Sequence, residues 1–273
     1  MPDAGAREGG ATVNGTFPAV FHAEWIKIRT LRSTVWTLLV AFVVSVGISL
    51  LFGLSMRTGF DQMDGEAQEN FDPVLAGFYS LTLGQLSLVV FGVLLVGSEY
   101  TSGTIRAALA AVPRRGLFYG CKALAGTLLA LGFSLVTVLV TFFVGQWAFG
   151  PHGTTMGADG VPRAIFGACM YMTLMCAFSI GVAAMLRSTA LSLGIMIPLL
   201  FLGSQGLGNL PGVRKVAQFL PDQAGAVAMQ VVTPDESFIS HRDFGPWTGL
   251  AILIAWTVAA LIGGYLVLRR RDA

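Results

Sequence analysis

The stretch GSEYTSGTIRAALAAVPRRGLFYGCK, Gly97–Lys122, decides how the chain is read. It is a polar interruption between two long apolar runs. It holds Arg106, Arg114, Arg115 and Lys122, four of the seventeen basic residues, and one acid, Glu99. Thr101 or Ser102 offers a hydroxyl to cap a helix start, where a side-chain oxygen accepts from the free N–H groups of the first turn. Pro113 ends that helix, because it biases the residue before it away from helical geometry. Ile105, Ala108, Leu109 and Val112 fall at i, i+3, i+4 and i+7, one face of the helix, and Arg106 points elsewhere. Two uses stand side by side. The segment is a docking surface for a soluble partner, or a loop on lipid headgroups with Arg114 and Arg115 on phosphates.

Composition sets the class. Apolar residues make up 54% of the 273 and charged residues 12%, against about 25% charged in a soluble domain. That marks an integral membrane protein. Six apolar runs, about 35–54, 75–96, 123–149, 164–186, 190–207 and 248–268, each approach the ~20 residues a helix needs to cross hydrocarbon. The third is long enough to tilt or emerge. Arg187, Ser188 and Thr189 leave only a tight hairpin between the fourth and fifth, and Pro198 can kink the fifth.

Basic residues orient the bundle. With the N-terminus inside, twelve of the seventeen Lys and Arg fall in cytosolic segments, and Asp61, Asp64, Glu66, Glu69 and Asp72 crowd the first outer loop. The bias predicts both termini on the cytoplasmic face. Residues 1–20 read as a disordered cytosolic lead and 21–273 as one six-span domain. Phe21, Trp25, Ile28 and Leu31 repeat at helical spacing with Lys27, Arg29 and Arg32, which predicts an interfacial helix anchored by Trp25. Glu24 intrudes on its apolar stripe; the alternative is a basic flank that orients the first span. In the last outer segment, Val213, Val216, Ala217 and Leu220 form one helical repeat, and Ala224, Val227, Ala228 and Val231 a second, with a turn at Pro221 and Gly225. These helices rest on the outer mouth or on the outer lipid surface.

Absences narrow the mechanism. With these boundaries no span interior carries Asp, Glu, Lys, Arg or His, so no proton relay is visible. No phosphate-binding loop, metalloprotease motif or intramembrane catalytic set occurs, so no catalytic residue is assigned. Cys121, Cys169 and Cys176 read as small buried residues, not as metal ligands or disulfides, and His22, His152 and His241 lack ligand spacing. Gln85, Ser134, Thr137 and Thr141 are candidates for a weakly polar pathway, and interhelical hydrogen bonding or packing is the competing account. Such a lining suits a hydrophobic or amphipathic cargo better than an ion. Transport against a gradient then needs an energised cytosolic partner.

SEYTSGTIRAALAAVPRR at 98–115 resembles the cytosolic loop of type-2 ATP-binding-cassette exporter permeases, particularly the actinobacterial kind. AEWIKIRTLRSTVW at 23–36, FDPVLAG at 71–77, LPDQAG at 220–225 and RRRDA at 269–273 match in the family's order. The resemblance implies an all-α, six-span plasma-membrane permease that pairs with a second copy, as homodimer or heterodimer, and with a separate ATPase holding ATP and Mg. No cofactor is implied in this chain, and no nucleic acid. It also implies a coupling helix over Thr101–Val112, with Glu99, Tyr100, Gly103, Thr104, Ile105, Arg106 and Leu109 in the coupling motif. Phe21–Arg32 would be the interfacial helix, and re-entrant outer helices would fall over Gly208–Val232, with Leu220, Pro221 and Gly225 at the gate. The expected function is ATP-driven export of a drug, antibiotic, peptide or lipid. The alternatives are an ATP-independent carrier or channel, or a non-transporting anchor or sensor subunit.

Overall fold

The computed structural model describes residues 16–65, 68, 71–204, 214–231 and 243–271. Among them every regular element is helical, and no strand occurs. Helix α1 spans Phe17–Thr30, α2 Arg32–Gly59, α3 Pro73–Ser102, α4 Thr104–Ala111, α5 Arg115–Phe149 and α6 Val161–Leu186. After a two-residue turn come α7 (Thr189–Ser204), α8 (Arg214–Ala217), α9 (Pro221–Val227) and α10 (Pro246–Arg271).

Five helices among the described residues, α2, α3, α5, α6 and α10, are long and apolar enough to cross a membrane. The chain is a multi-pass membrane protein. The remaining run of the sequence, 190–207, falls on a shorter apolar helix among the described residues. Over its described residues helix α7 has 16 residues and contains Pro198; at 1.5 Å per residue these rise about 24 Å. Residues 205–207 of that run lie outside the described residues.

Helices α3 and α6 form the centre, each with 72% of its apolar window buried, against 22% for α2 and 28% for α10. The outer helices turn Trp36, Leu51, Leu135, Trp147 and Ile262 outward, as lipid-facing or partner-facing surface requires. Helix α2 lies against α3 and α5; α6 packs between α3, α5 and α10; α7 lies on α3. Since lipid is as apolar as leucine, the bundle is held by close packing of small residues. Ala41, Ser45, Ser49 and Gly53 form a buried four-residue repeat on α2. The approach is so close that a Cβ on Gly84 of α3 would lie 1.9 Å from Ser45 Oγ.

The helices outrun the apolar runs of the sequence. Helix α3 continues to Ser102 and α5 begins at Arg115. Glu99 and Lys122, placed outside the spans by their charge, therefore sit inside long helices and are 2% and 1% exposed. The expected absence of charge holds for the mid-span stretches but not for the ends of these helices. Helix α1 takes in residues 17–20, read as part of the lead, and stops at Thr30. Arg32 accordingly opens α2 instead of closing the interfacial helix.

Candidate functional site

The polar stretch at 97–122 becomes a helix–hinge–helix. Thr101 and Ser102 do not cap a new helix; they form the last turn of α3, where Thr101 Oγ1 donates to Gly97 O at 3.0 Å. The break falls at Gly103, whose φ of +73° is left-handed. Glycine reaches that region without steric cost and commonly closes a helix there. Its N–H donates to Tyr100 O at 3.3 Å, and its own carbonyl accepts from Arg106 N at 3.3 Å to start α4.

Helix α4 is two turns long and ends with Val112 N donating to Ala108 O. Its apolar face is the one the spacing predicts. Ile105 is buried, and Ala108, Leu109 and Val112 are half-buried against the rest of the chain. That face is therefore used within the protein. The free face carries Thr104, Arg106, Ala107, Ala110 and Ala111, all exposed. Any docking surface on α4 is a single arginine on a bed of alanines.

Tyr100 is braced by the α6–α7 turn. The Arg187 guanidinium lies 5.1 Å from the centre of its ring, and Thr189 Oγ1 is 3.2 Å from Thr101 Oγ1. Arg187 takes a left-handed φ of 56°, the single positive value outside glycine among the described residues. Arg115 also has an internal use. Its Nη1 donates to Leu268 O at 3.1 Å and Arg269 O at 3.2 Å, capping the carbonyl end of α10. Arg114 is exposed.

Glu99 does not lie on the free surface of the 97–122 stretch. Lys122 Nζ donates to Glu99 Oε1 at 2.8 Å and to Glu24 Oε2 at 2.6 Å, and Lys27 Nζ also pairs with Glu99 Oε1. This cluster joins α1, α3 and α5, and Lys122 lies 5.0 Å from the Phe118 ring centre. These are the ion pairs among the described residues. Glu24, which interrupts the apolar stripe of α1, is its third member. The available signal was one charge on the inward face of each of three helices, though a partner 98 residues away leaves no local pattern.

On α1, Phe17, Phe21 and Trp25 stack in a ladder with successive ring centres 6.0 Å apart. Ile28 is fully buried and Arg29 exposed. The helix lies along α5.

The opposite end holds the second assembly. Pro221 does not break a helix but starts one, at the first turn of α9, and Gly225 lies inside that helix instead of at a turn. Leu220 is the capping residue before it. The predicted repeat to Val231 is cut at Val227, and Val213 of the preceding repeat lies outside the described residues. Pro221, Asp222, Gln223, Ala224 and Gly225 are all buried. Helix α9 lies inside the bundle, against α6 and α10, not on its outer surface. A Cβ on Gly225 would sit 2.4 Å from Tyr171 Cδ2, and one on Gly167 would sit 2.0 Å from Ala228 O. Glycine is what lets the buried segment approach α6 so closely.

Two charged side chains tie this segment down. Asp72 Oδ1 accepts from Val74 N and Leu75 N at 2.9 Å, capping α3, and its Oδ2 accepts from Val231 N at 2.9 Å. Arg163 Nη2 donates to Gln230 O at 2.8 Å. Neither residue stood out in the sequence, although an Asp-Pro pair ahead of an apolar run is a helix-start signal.

Gln85, Ser134, Thr137 and Thr141 are fully buried within one chain. Thr141 contributes its backbone carbonyl to Ser49 Oγ at 3.4 Å. The structure places all four between helices, away from any surface facing outward. Ser49 belongs to the small-residue stripe of α2, so Thr141 at least meets that helix contact.

Comparison with curated proteins finds no match. A model of the ABC-2 family transporter protein matches residues 19–273, nearly the whole chain. Members of that family are membrane components of transporters and typically work with a separate ATPase subunit. The chain belongs to the ABC-2 family of transporter membrane proteins.

Proposed function

We propose that this chain is one half of the membrane pathway of an ATP-driven exporter, docked through α4 to a cytosolic ATPase. The observation that carries the reading is α4 itself. It is a short helix set off from α3 by a left-handed glycine, with its apolar side fixed to its own chain and Arg106, Ala107 and Ala110 uncovered. A flat face of that kind lets another protein approach the backbone closely, and the arginine supplies a directed charge-assisted contact.

In this reading the α4 end faces the cytosol, both termini lie on that side, and α7 completes a sixth crossing. Two copies, identical or paired with a related chain, enclose the pathway in the plasma membrane. ATP and Mg sit on the partner ATPase, whose closure presses on α4. The motion reaches α3 through Gly103, and the cargo leaves past α9. The apolar surfaces support a hydrophobic or amphipathic cargo.

The test is reconstitution of the chain with its co-purified ATPase in lipid nanodiscs. The reading requires Mg-dependent ATP hydrolysis, and ATP-dependent efflux of a lipophilic dye from a panel in proteoliposomes. It also requires Arg106→Ala to lose both without loss of folded permease. Cargo movement that persists with neither ATPase nor ATP would refute it in favour of a carrier.

A further inference from the structure

Lys122 is charged, belongs to an apolar helix and is 1% exposed. Two carboxylates from different helices share its ammonium, Glu24 on α1 and Glu99 on α3. Burying ions is expensive, and well-packed apolar residues of the same volume would hold three helices together at least as well. Stability alone therefore does not account for the cluster. Ion pairs of this kind do fix register and orientation, because a carboxylate and an ammonium accept only a narrow range of separations.

Position tells what is being fixed. Glu99 lies in the last turn and a half of α3, four residues ahead of the Gly103 hinge. Helix α1 lies along α5, and its tie to α3 runs through this cluster. Lys122 alone reaches both acids, since Lys27 pairs with Glu99 only. Lys27 is also half open to solvent, with 43% of its side chain exposed, whereas that of Lys122 is 1% exposed. The buried lysine is the fixed point and the exposed one an accessory.

We infer that Lys122 and Glu24 are positioning residues for α4: through Glu99 they lock the end of α3 to α1, and so set the direction in which Gly103 delivers the docking helix. This rests on α4 being the docking segment. It assigns Glu99 to the rear of that segment as an internal anchor, leaving Arg106 as the charge a partner meets. The interfacial helix becomes part of the coupling apparatus, and force on α4 is resisted by α1 lying along α5.

The three native cysteines, Cys121, Cys169 and Cys176, are buried, so an engineered surface cysteine can be labelled selectively. A spin label at Ala107→Cys on the free face of α4 reports the order of that helix. A second at Trp147→Cys, exposed at the opposite end of α5, reports the bundle. The full chain is measured in nanodiscs without ATPase. Lys122→Met and Glu24→Gln should each mobilise the label at 107 and leave that at 147 unchanged, and Lys122→Arg should restore order at 107. Should Lys122→Met fail to fold, Glu24→Gln, which keeps the Lys122–Glu99 pair, carries the test. An ordered label at 107 in folded Glu24→Gln overturns the inference. So does equal mobilisation at both positions without rescue by Lys122→Arg, which would make the cluster a general brace. Since no ATPase is present, these outcomes are independent of the exporter reading, which wild-type failure to bind an ATPase would strike separately.

Discussion

Asp72 performs two tasks with two oxygens, and replacing it with Asn or Ala separates them. Oδ1 caps α3 through two N–H bonds, and Oδ2 holds Val231 at the end of the α9 segment. Losing an N-cap costs about 0.5–2 kcal/mol, and losing a hydrogen bond to a charged group costs about 1.5–3 kcal/mol. Asp72→Ala loses both, so α3 start and α9 segment together should weaken by roughly 3–4 kcal/mol. Asn caps helices as well as Asp does. Its second terminal atom is an NH2 donor, however, and would face the Val231 N–H. Asp72→Asn should therefore spare α3 and loosen the α9 segment by about 2 kcal/mol. The assay is hydrogen exchange in detergent or nanodiscs, followed on fragments covering 73–80 and 221–231. At tenfold per 1.4 kcal/mol, local opening of 221–231 should speed up by roughly 30-fold in Asp72→Asn, while 73–80 keeps its protection. Asp72→Ala should deprotect both. Unchanged exchange over 221–231 in Asp72→Asn would refute the idea that this carboxylate anchors the buried segment.

Gly167→Ala places a methyl group 2.0 Å from the Ala228 carbonyl oxygen; overpacking of that kind costs about 1–3 kcal/mol. Its thermal midpoint in detergent should fall, while Gly132→Ala, where a Cβ meets nothing within 4 Å, should change little. Ile105→Asp buries a charge on the inner face of α4, so it should lower yield and thermal stability, whereas exposed Arg106→Ala should purify like wild type by size-exclusion chromatography. Arg115→Ala removes two donors from the last carbonyls of α10. At about 0.5–1.5 kcal/mol for each hydrogen bond, exchange over 264–270 should rise and that over 246–260 should not.

Five of the six expected spans were legible because crossing hydrocarbon leaves a long apolar record in the chain. The inner face of α4 was legible because four residues at helical spacing write it locally. The α6–α7 turn was legible because so few residues separate two apolar runs. What escaped was written across distance or in dual-purpose residues. Lys122 and Glu24 are 98 residues apart; alone, Lys122 looked like the edge of an apolar run and Glu24 like an intrusion on the stripe of α1. Asp72 looked like one of five acids in a loop, although its geometry with Val231 gives it a specific use. Pro221 carries the same identity at the start of a helix as at its break, and only the packing of α9 decides between them. Gly103 was assigned to the coupling motif by resemblance; what its left-handed φ explains is the break between α3 and α4.

The central claim is that the free face of α4 receives an ATPase. A photo-crosslinking amino acid at Ala110 tests it on the full chain, tagged and irradiated in host membranes before gentle solubilisation. The account predicts one dominant cross-linked protein, carrying a phosphate-binding loop, which disappears with Arg106→Ala and is absent when the crosslinker is moved to Trp147. Cross-links at Ala110 to lipid alone, with folded permease and no ATPase in the adduct, would contradict it.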